Sequence, residues 1–268
     1  MSPTVVRRTA LAASAAVLAL LATACGGSSD DDAAAGDGEA KAERSAPAGD
    51  AGQSAPAGDA PTAADLEKAA LASADVENGE VTTKVPAKDD VAKDQVSADD
   101  AACLPLALAQ SAVAQGEPAA SVKRSWQGQT EAPSDSKGPD GQDMTTVNVD
   151  KIMLNLASYA GGGAEQALKG LSTAAEKCSG GFVASAGGDK LKITEVGTAT
   201  APEGGDEAVA VNLGVDVGKD ADGLMKLVVV RKGATLVTFS AVNLSSMMTG
   251  AEFEVPAEVV DAQVAKLG

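Results

Sequence analysis

The chain has 268 residues, with 21 Lys and Arg against 38 Asp and Glu, a formal net charge of -17, and no histidine. The acidity argues against nucleic acid and anionic lipid surfaces as general partners, since both reward positive protein charge. The lack of histidine excludes Ser-His-Asp and Cys-His catalysis, histidine metal ligands and imidazole pH switches; the expectation is a protein that is not an enzyme and uses neither cofactor nor metal.

The first 24 residues have the parts of an export signal: Arg7 and Arg8, an apolar run from Ala10 to Leu21, and small residues before Cys25. A run of about a dozen apolar residues is shorter than the roughly 20 needed to cross a bilayer. Together with Leu20-Leu21-Ala22-Thr23-Ala24-Cys25, this resembles a bacterial lipoprotein signal peptide. The resemblance implies cleavage before Cys25, a diacylglyceryl group on its sulfur and a further acyl chain such as palmitate on the new amino terminus. Such a chain is anchored to the outer face of the cytoplasmic membrane, because two or three acyl chains hold where one does not. The arginine pair is compatible with either general secretion or twin-arginine export.

Residues 25–62 are mostly Gly, Ser, Ala, Asp and Pro, and Ser-Ala-Pro-Ala-Gly-Asp-Ala occurs at 45–51 and again at 54–60. This composition cannot bury enough apolar surface to offset ordering entropy, so a disordered tether is expected. Its coil dimension is about 30 Å. Asp30-Asp31-Asp32 reads as part of a solvated acidic tail.

A single domain is expected over 63–268. Residues 63–71 have helical spacing, 75–79 punctuate the chain, and 80–85 read as a strand. Ser97-Ala98-Asp99-Asp100 has the outline of a capping box and predicts a helix through Cys103, Leu104 and Leu108 to Val113, with Pro105 in its first turns. Strands follow at 122–127 and 145–156 around a polar loop at 134–142. The stripe Ala164, Ala167, Leu168, Leu171 and Ala175 predicts a helix ending at Cys178. Strands are expected at 191–200, 208–217, 225–232 and 235–244, with a turn at 231–234, and a last helix from Pro256. The fold class is α+β: an antiparallel sheet with helices packed on it as a sandwich.

Cys103 and Cys178 make an even pair in an oxidising compartment and are expected to form a disulfide. Trp126, Tyr159, Phe182, Phe239 and Phe253 are the chain's aromatic residues and are expected in the core. Met247-Met248 suits either packing or an adaptable apolar lip.

The segments Leu66-Glu67-Lys68-Ala69-Ala70-Leu71, Asp75-Val76 and Ala102-Cys103-Leu104-Pro105-Leu106, the helix ending in Cys178 and the late strands resemble actinobacterial envelope lipoproteins. These are similar in turn to the extracellular sensor domain of PknH-type serine/threonine kinases. The resemblance covers about 63–268 and implies a central antiparallel sheet, helices packed on it and a cleft suited to binding. That sensor domain typically has two disulfides, whereas this chain has cysteines for one.

Other motifs read as structure. Asp216 to Gly223 has the composition of a calcium loop, but placing Gly223 sixth puts Gly218 first and Val229 twelfth, where acids are needed; a turn is expected. Ser134 to Lys137 has Ser-x-x-Lys spacing without a helix. Gly161-Gly162-Gly163 precedes a helix and has backbone N–H groups suited to an anion, but no P-loop lysine follows. Asn243-Leu244-Ser245 is a glycosylation signal only in eukaryotic secretion.

The expectation is therefore a membrane-anchored, sensor-like binding domain whose partner is an envelope protein or a small or lipidic ligand. The alternatives are a carrier of a lipid or other apolar molecule, and an enzyme working through carboxylates such as Glu195, Asp206 and Glu207.

Overall fold

The computed structural model describes residues 60–137, 143–218 and 222–267. The expected leader, Cys25, nearly all of the 25–62 stretch and part of the expected 134–142 loop lie outside the described residues. Nine strands form one antiparallel sheet: β1 (Glu80–Thr82), β2 (Val96–Ala98), β3 (Ala120–Lys137), β4 (Asp143–Ser158), β5 (Phe182–Ala186), β6 (Asp189–Ala199), β7 (Glu207–Val215), β8 (Gly223–Lys232) and β9 (Thr235–Asn243). Their order is β1-β3-β4-β9-β8-β7-β6-β5-β2. Among the described residues five α-helices accompany it: α1 (Ala63–Ala69), α2 (Leu104–Gln110), α3 (Gly163–Lys177), α4 (Leu244–Thr249) and α5 (Ala257–Ala265). This is the expected α+β class.

Both faces of the sheet are covered, and the central strands show it in their composition. Leu227 to Val230 in β8 and Thr235 to Ala241 in β9 are buried without interruption, as strands covered on both sides require. On one face, Leu227, Val229, Val211 and Leu213 pack under Leu106 and Leu108 of α2 and Leu168 and Leu171 of α3. On the other, Val228, Val230, Phe239 and Leu154 meet Leu66 of α1 and Val260 and Val264 of α5. Both edges end in three-residue strands, β1 on Ser125 to Gln127 of β3 and β2 on Ala184 to Ala186 of β5.

Each helix end has a local cause. Thr62 and Asp65 form a reciprocal capping box at the start of α1. At its other end Gln263 of α5, fully buried, accepts from the Leu71 N–H and donates to the Ala69 carbonyl, both at 2.8 Å. That one side chain ties the domain's first helix to its last. Pro256 occupies the cap position of α5, one residue before its first helical turn.

The structure corrects several boundaries. Ser97 does not cap a helix; it lies in β2 opposite Ser185, held extended by pairing with β5. Asp100 is the cap, accepting from the Ala102 N–H at 2.8 Å at the head of a short 3-10 turn that leads into α2. Helix α2 ends at Gln110, short of Val113, because Ala112 takes a left-handed φ of 48° and the Val113 N–H turns back to the Leu108 carbonyl. Ser134 to Lys137 belong to β3 instead of a loop, since the β3–β4 hairpin extends with a register shift beyond Pro133. The strands β2 and β5 and the short α4 were not expected.

Trp126 illustrates how glycine positions a large side chain. Its indole N–H donates to the Asn78 carbonyl at 2.9 Å, and a Cβ at Gly128 would fall 2.3 Å from the ring. Gly128→Ala is therefore expected to destabilise the domain by about 1–3 kcal/mol, the usual range for overpacking. Because Trp126 is the only tryptophan, its emission should move to longer wavelength as the ring is displaced, and fluorescence-monitored urea unfolding reads both effects.

Candidate functional site

Cys103 heads α2 and Cys178 follows the last residue of α3, and their sulfurs are bonded with the Cα atoms 5.9 Å apart. The expected disulfide thus joins the start of one helix to the end of the other, so the two run antiparallel. At the opposite end, the chain leaving α2 meets the chain entering α3: the Tyr159 hydroxyl donates to the Gln115 carbonyl at 2.8 Å. Burial pushes the Tyr159 phenol up to about 12, so it remains a donor at neutral pH.

Between these ends lies a groove of about 640 Å³. Helix α2 and its leading turn line it with Ala101, Leu104, Pro105 and Leu108, and α3 lines it with Gly163, Gln166, Ala167 and Gly170. Both sets follow i, i+3, i+4, i+7 spacing, so each helix turns one stripe to the groove. Small residues on the α3 side give the groove its width; a Cβ at Gly170 would meet nothing within 4 Å. The volume falls within the roughly 300–1,000 Å³ typical of small-molecule sites.

The polar end of the groove is unusual. Gln115 is 5% exposed, and its Nε2 is buried without a hydrogen-bond partner. Lys93 Nζ donates to the Gly116 carbonyl and pairs with Glu117 at 2.9 Å. Helix α3 starts after Gly162, which is left-handed at φ 79°, and no side chain caps it. Of the Gly161-Gly162-Gly163 run, whose N–H groups suit an anion although no P-loop lysine follows, Gly163 lines this groove. Gln115, by contrast, carried no signal in the sequence, because an unpartnered buried amide is defined by what remote segments fail to supply.

A second unpaired amide lies on the same sheet face. Asn155, 1% exposed, stands opposite Thr238, and neither end of its amide has a partner. On this face Ser240 Oγ donates to the Gln110 carbonyl at 2.7 Å, linking the sheet to the end of α2. Leaving such groups unpaired costs about 1–3 kcal/mol each, whereas an apolar group of similar shape does not. Asn155→Leu is accordingly expected to stabilise the domain by about 1–3 kcal/mol, seen as a higher urea midpoint.

A separate cavity of about 490 Å³ lies on the other face, between α5 and β7–β8. Its cation, Lys226, is paired with Glu252 at 3.1 Å and lies over the Phe253 ring; Asn212 lines it with a buried, unpartnered Oδ1.

The remaining sequence candidates have structural roles. Asp206 and Glu207 both bind Arg231, at 3.1 and 3.0 Å, on the surface, while exposed Glu195 lies opposite Gly214 near the far end of β7. These carboxylates form no buried pair. Asp216 accepts from the Gly218 N–H at 2.9 Å and from Lys192, which together hold its carboxyl below the ordinary value. Among the described residues no group of acids and cysteines is arranged to hold a metal ion. Asn243 is buried, accepting from the Ser246 N–H as the cap of α4 and donating to Asp150. Trp126, Tyr159, Phe182 and Phe239 are core residues as expected, whereas Phe253 is only partly buried, packed against the core's edge. Met247 packs against the core, whereas Met248 is exposed on α4.

No protein-family model matches the chain, and no curated protein matches it.

Proposed function

We propose that the chain is a bacterial lipoprotein, acylated at Cys25 and held at the outer face of the cytoplasmic membrane, whose domain binds a ligand without transforming it. The observation that carries this reading is the Gln115 amide: a donor that is buried, unpartnered and placed at the end of an apolar groove. Burial without a partner costs free energy, and a bound ligand that accepts from Nε2 removes that cost. The likeness to kinase sensor domains belongs to the same reading, with the groove as the place where occupancy is sensed.

The apolar stripes of α2 and α3 favour a second form of it, a carrier of a lipid or other apolar molecule in the envelope. Two measurements test these readings. Cys25→Ser is expected to shift the chain from the membrane to the soluble fraction; retention in the membrane overturns the anchor. Native mass spectrometry of the chain isolated from its own envelope is expected to show one adduct of metabolite or lipid mass per chain. A bare mass turns the reading toward a protein partner.

A further inference from the structure

We infer that the α2–α3 groove takes a straight-chain amphiphile with a carboxylate head, its head at Gln115 and the first turn of α3 and its alkyl chain along the two helical stripes. This deepens the proposed function and rests on the groove being a ligand site.

The polar end of the groove holds donors, its backbone carbonyls are already engaged, and its one carboxylate, Glu117, is paired with Lys93. Gln115 Nε2 is unpartnered. The fifteen-residue α3 has no side-chain cap; the Gly163 N–H donates to the Ala160 carbonyl at 3.0 Å, and the helix N-terminus carries partial positive charge. Lys93 is the one cation among the residues lining the groove. Meanwhile the Ala107, Leu108 and Ala109 carbonyls at the end of α2 accept from the N–H groups of Ser111, Ala112 and Val113. The Gln110 carbonyl accepts from Ser240, the Gln115 carbonyl from Tyr159 and the Gly116 carbonyl from Lys93. A ligand that fits must bring acceptors, and a negative charge matches the helix end.

The number of cations limits that charge. A single lysine, already shared with Glu117, suits a monoanion; a phosphate dianion is ordinarily met by bidentate arginine. The body of the ligand is set by Leu104, Pro105, Leu108 and Ala167, with open space over Gly170. Tyr159, the only aromatic residue in the lining, is buried and holds Gln115, leaving no platform for a sugar or a base to stack on.

The test is calorimetric titration of the full chain carrying Cys25→Ser, which removes the acylation thiol so that no detergent competes. The probes are dodecanoate, dodecyltrimethylammonium and butyrate. Dodecanoate is expected to bind once per chain, at least about tenfold more tightly than the cationic amphiphile and about a hundredfold more tightly than butyrate. Gln115→Leu should weaken dodecanoate about tenfold, the effect of one hydrogen bond to a charged group. Gly170→Leu should abolish dodecanoate binding and raise the thermal midpoint, because it fills the groove while replacing a poor helix former with a good one. That opposite response separates a blocked groove from an unfolded chain. If the cationic amphiphile binds equally well and Gly170→Leu abolishes both, the carboxylate assignment fails and the groove reading stands. If Gly170→Leu leaves binding intact, the amphiphile sits elsewhere and both fail. If no probe binds, the amphiphile is overturned, and the native mass decides the groove reading on its own.

Discussion

Removing the Cys103–Cys178 bridge, by the double change Cys103→Ala and Cys178→Ala, is expected to lower stability by about 4 kcal/mol. The two cysteines are 75 residues apart, so the bond withdraws a long loop's worth of conformational freedom from the unfolded chain. For a domain of this size each kcal/mol moves the thermal midpoint by about 2–4 °C, giving a fall of roughly 8–16 °C. The bridge joins the two helices that line the groove, so ligand affinity should fall along with stability. Thermal unfolding with and without reductant checks the account: reduced wild type should unfold near the variant's midpoint. A difference below about 2 °C would mean that the unfolded chain is already restrained between these positions.

Phe239→Ala is expected to cost about 3–5 kcal/mol, the range for truncating a fully buried aromatic side chain. Phe239 has no exposed surface and stands in β9 between Leu154 of β4 and Val228 of β8. Its face of the sheet is the one that α1 and α5 cover, so the cavity would open where the first and last helices join. Urea unfolding should show a lower midpoint with an unchanged slope, the signature of lost stability without a change in the surface exposed on unfolding. The α2–α3 groove lies on the opposite face, so ligand binding under stabilising conditions should persist. A parallel loss of binding at full folding would show that the two faces are coupled through the sheet.

Elements whose burial pattern is local could be read from the residue order. Helix α3 was legible because Ala164, Leu168, Leu171 and Ala175 repeat at helical spacing and all four face the core. The hairpin of β8 and β9 was legible from two β-branched runs separated by a short turn containing Gly233. Strands β2 and β5 were not: Val-Ser-Ala and Phe-Val-Ala-Ser-Ala are short and rich in small residues, and become strands only by pairing with each other and with β6. Ser97 was misread for the same reason, since a local capping pattern lost to a strand partner nearly ninety residues away, a long-range contact of the kind that overrides propensity.

By itself the sequence determined an acidic, histidine-free chain with an α+β domain and one available disulfide beyond Cys25, because charge, periodicity and cysteine count are properties of residues in order. Only the tertiary structure decided that α2 and α3 run antiparallel around a groove. It alone also decided that Tyr159 ties down the backbone of Gln115 while the Gln115 amide stays unpaired, and that Asn155 is enclosed with no partner. Whether a buried polar atom is satisfied depends on which distant segments reach it, and folding alone brings those segments together.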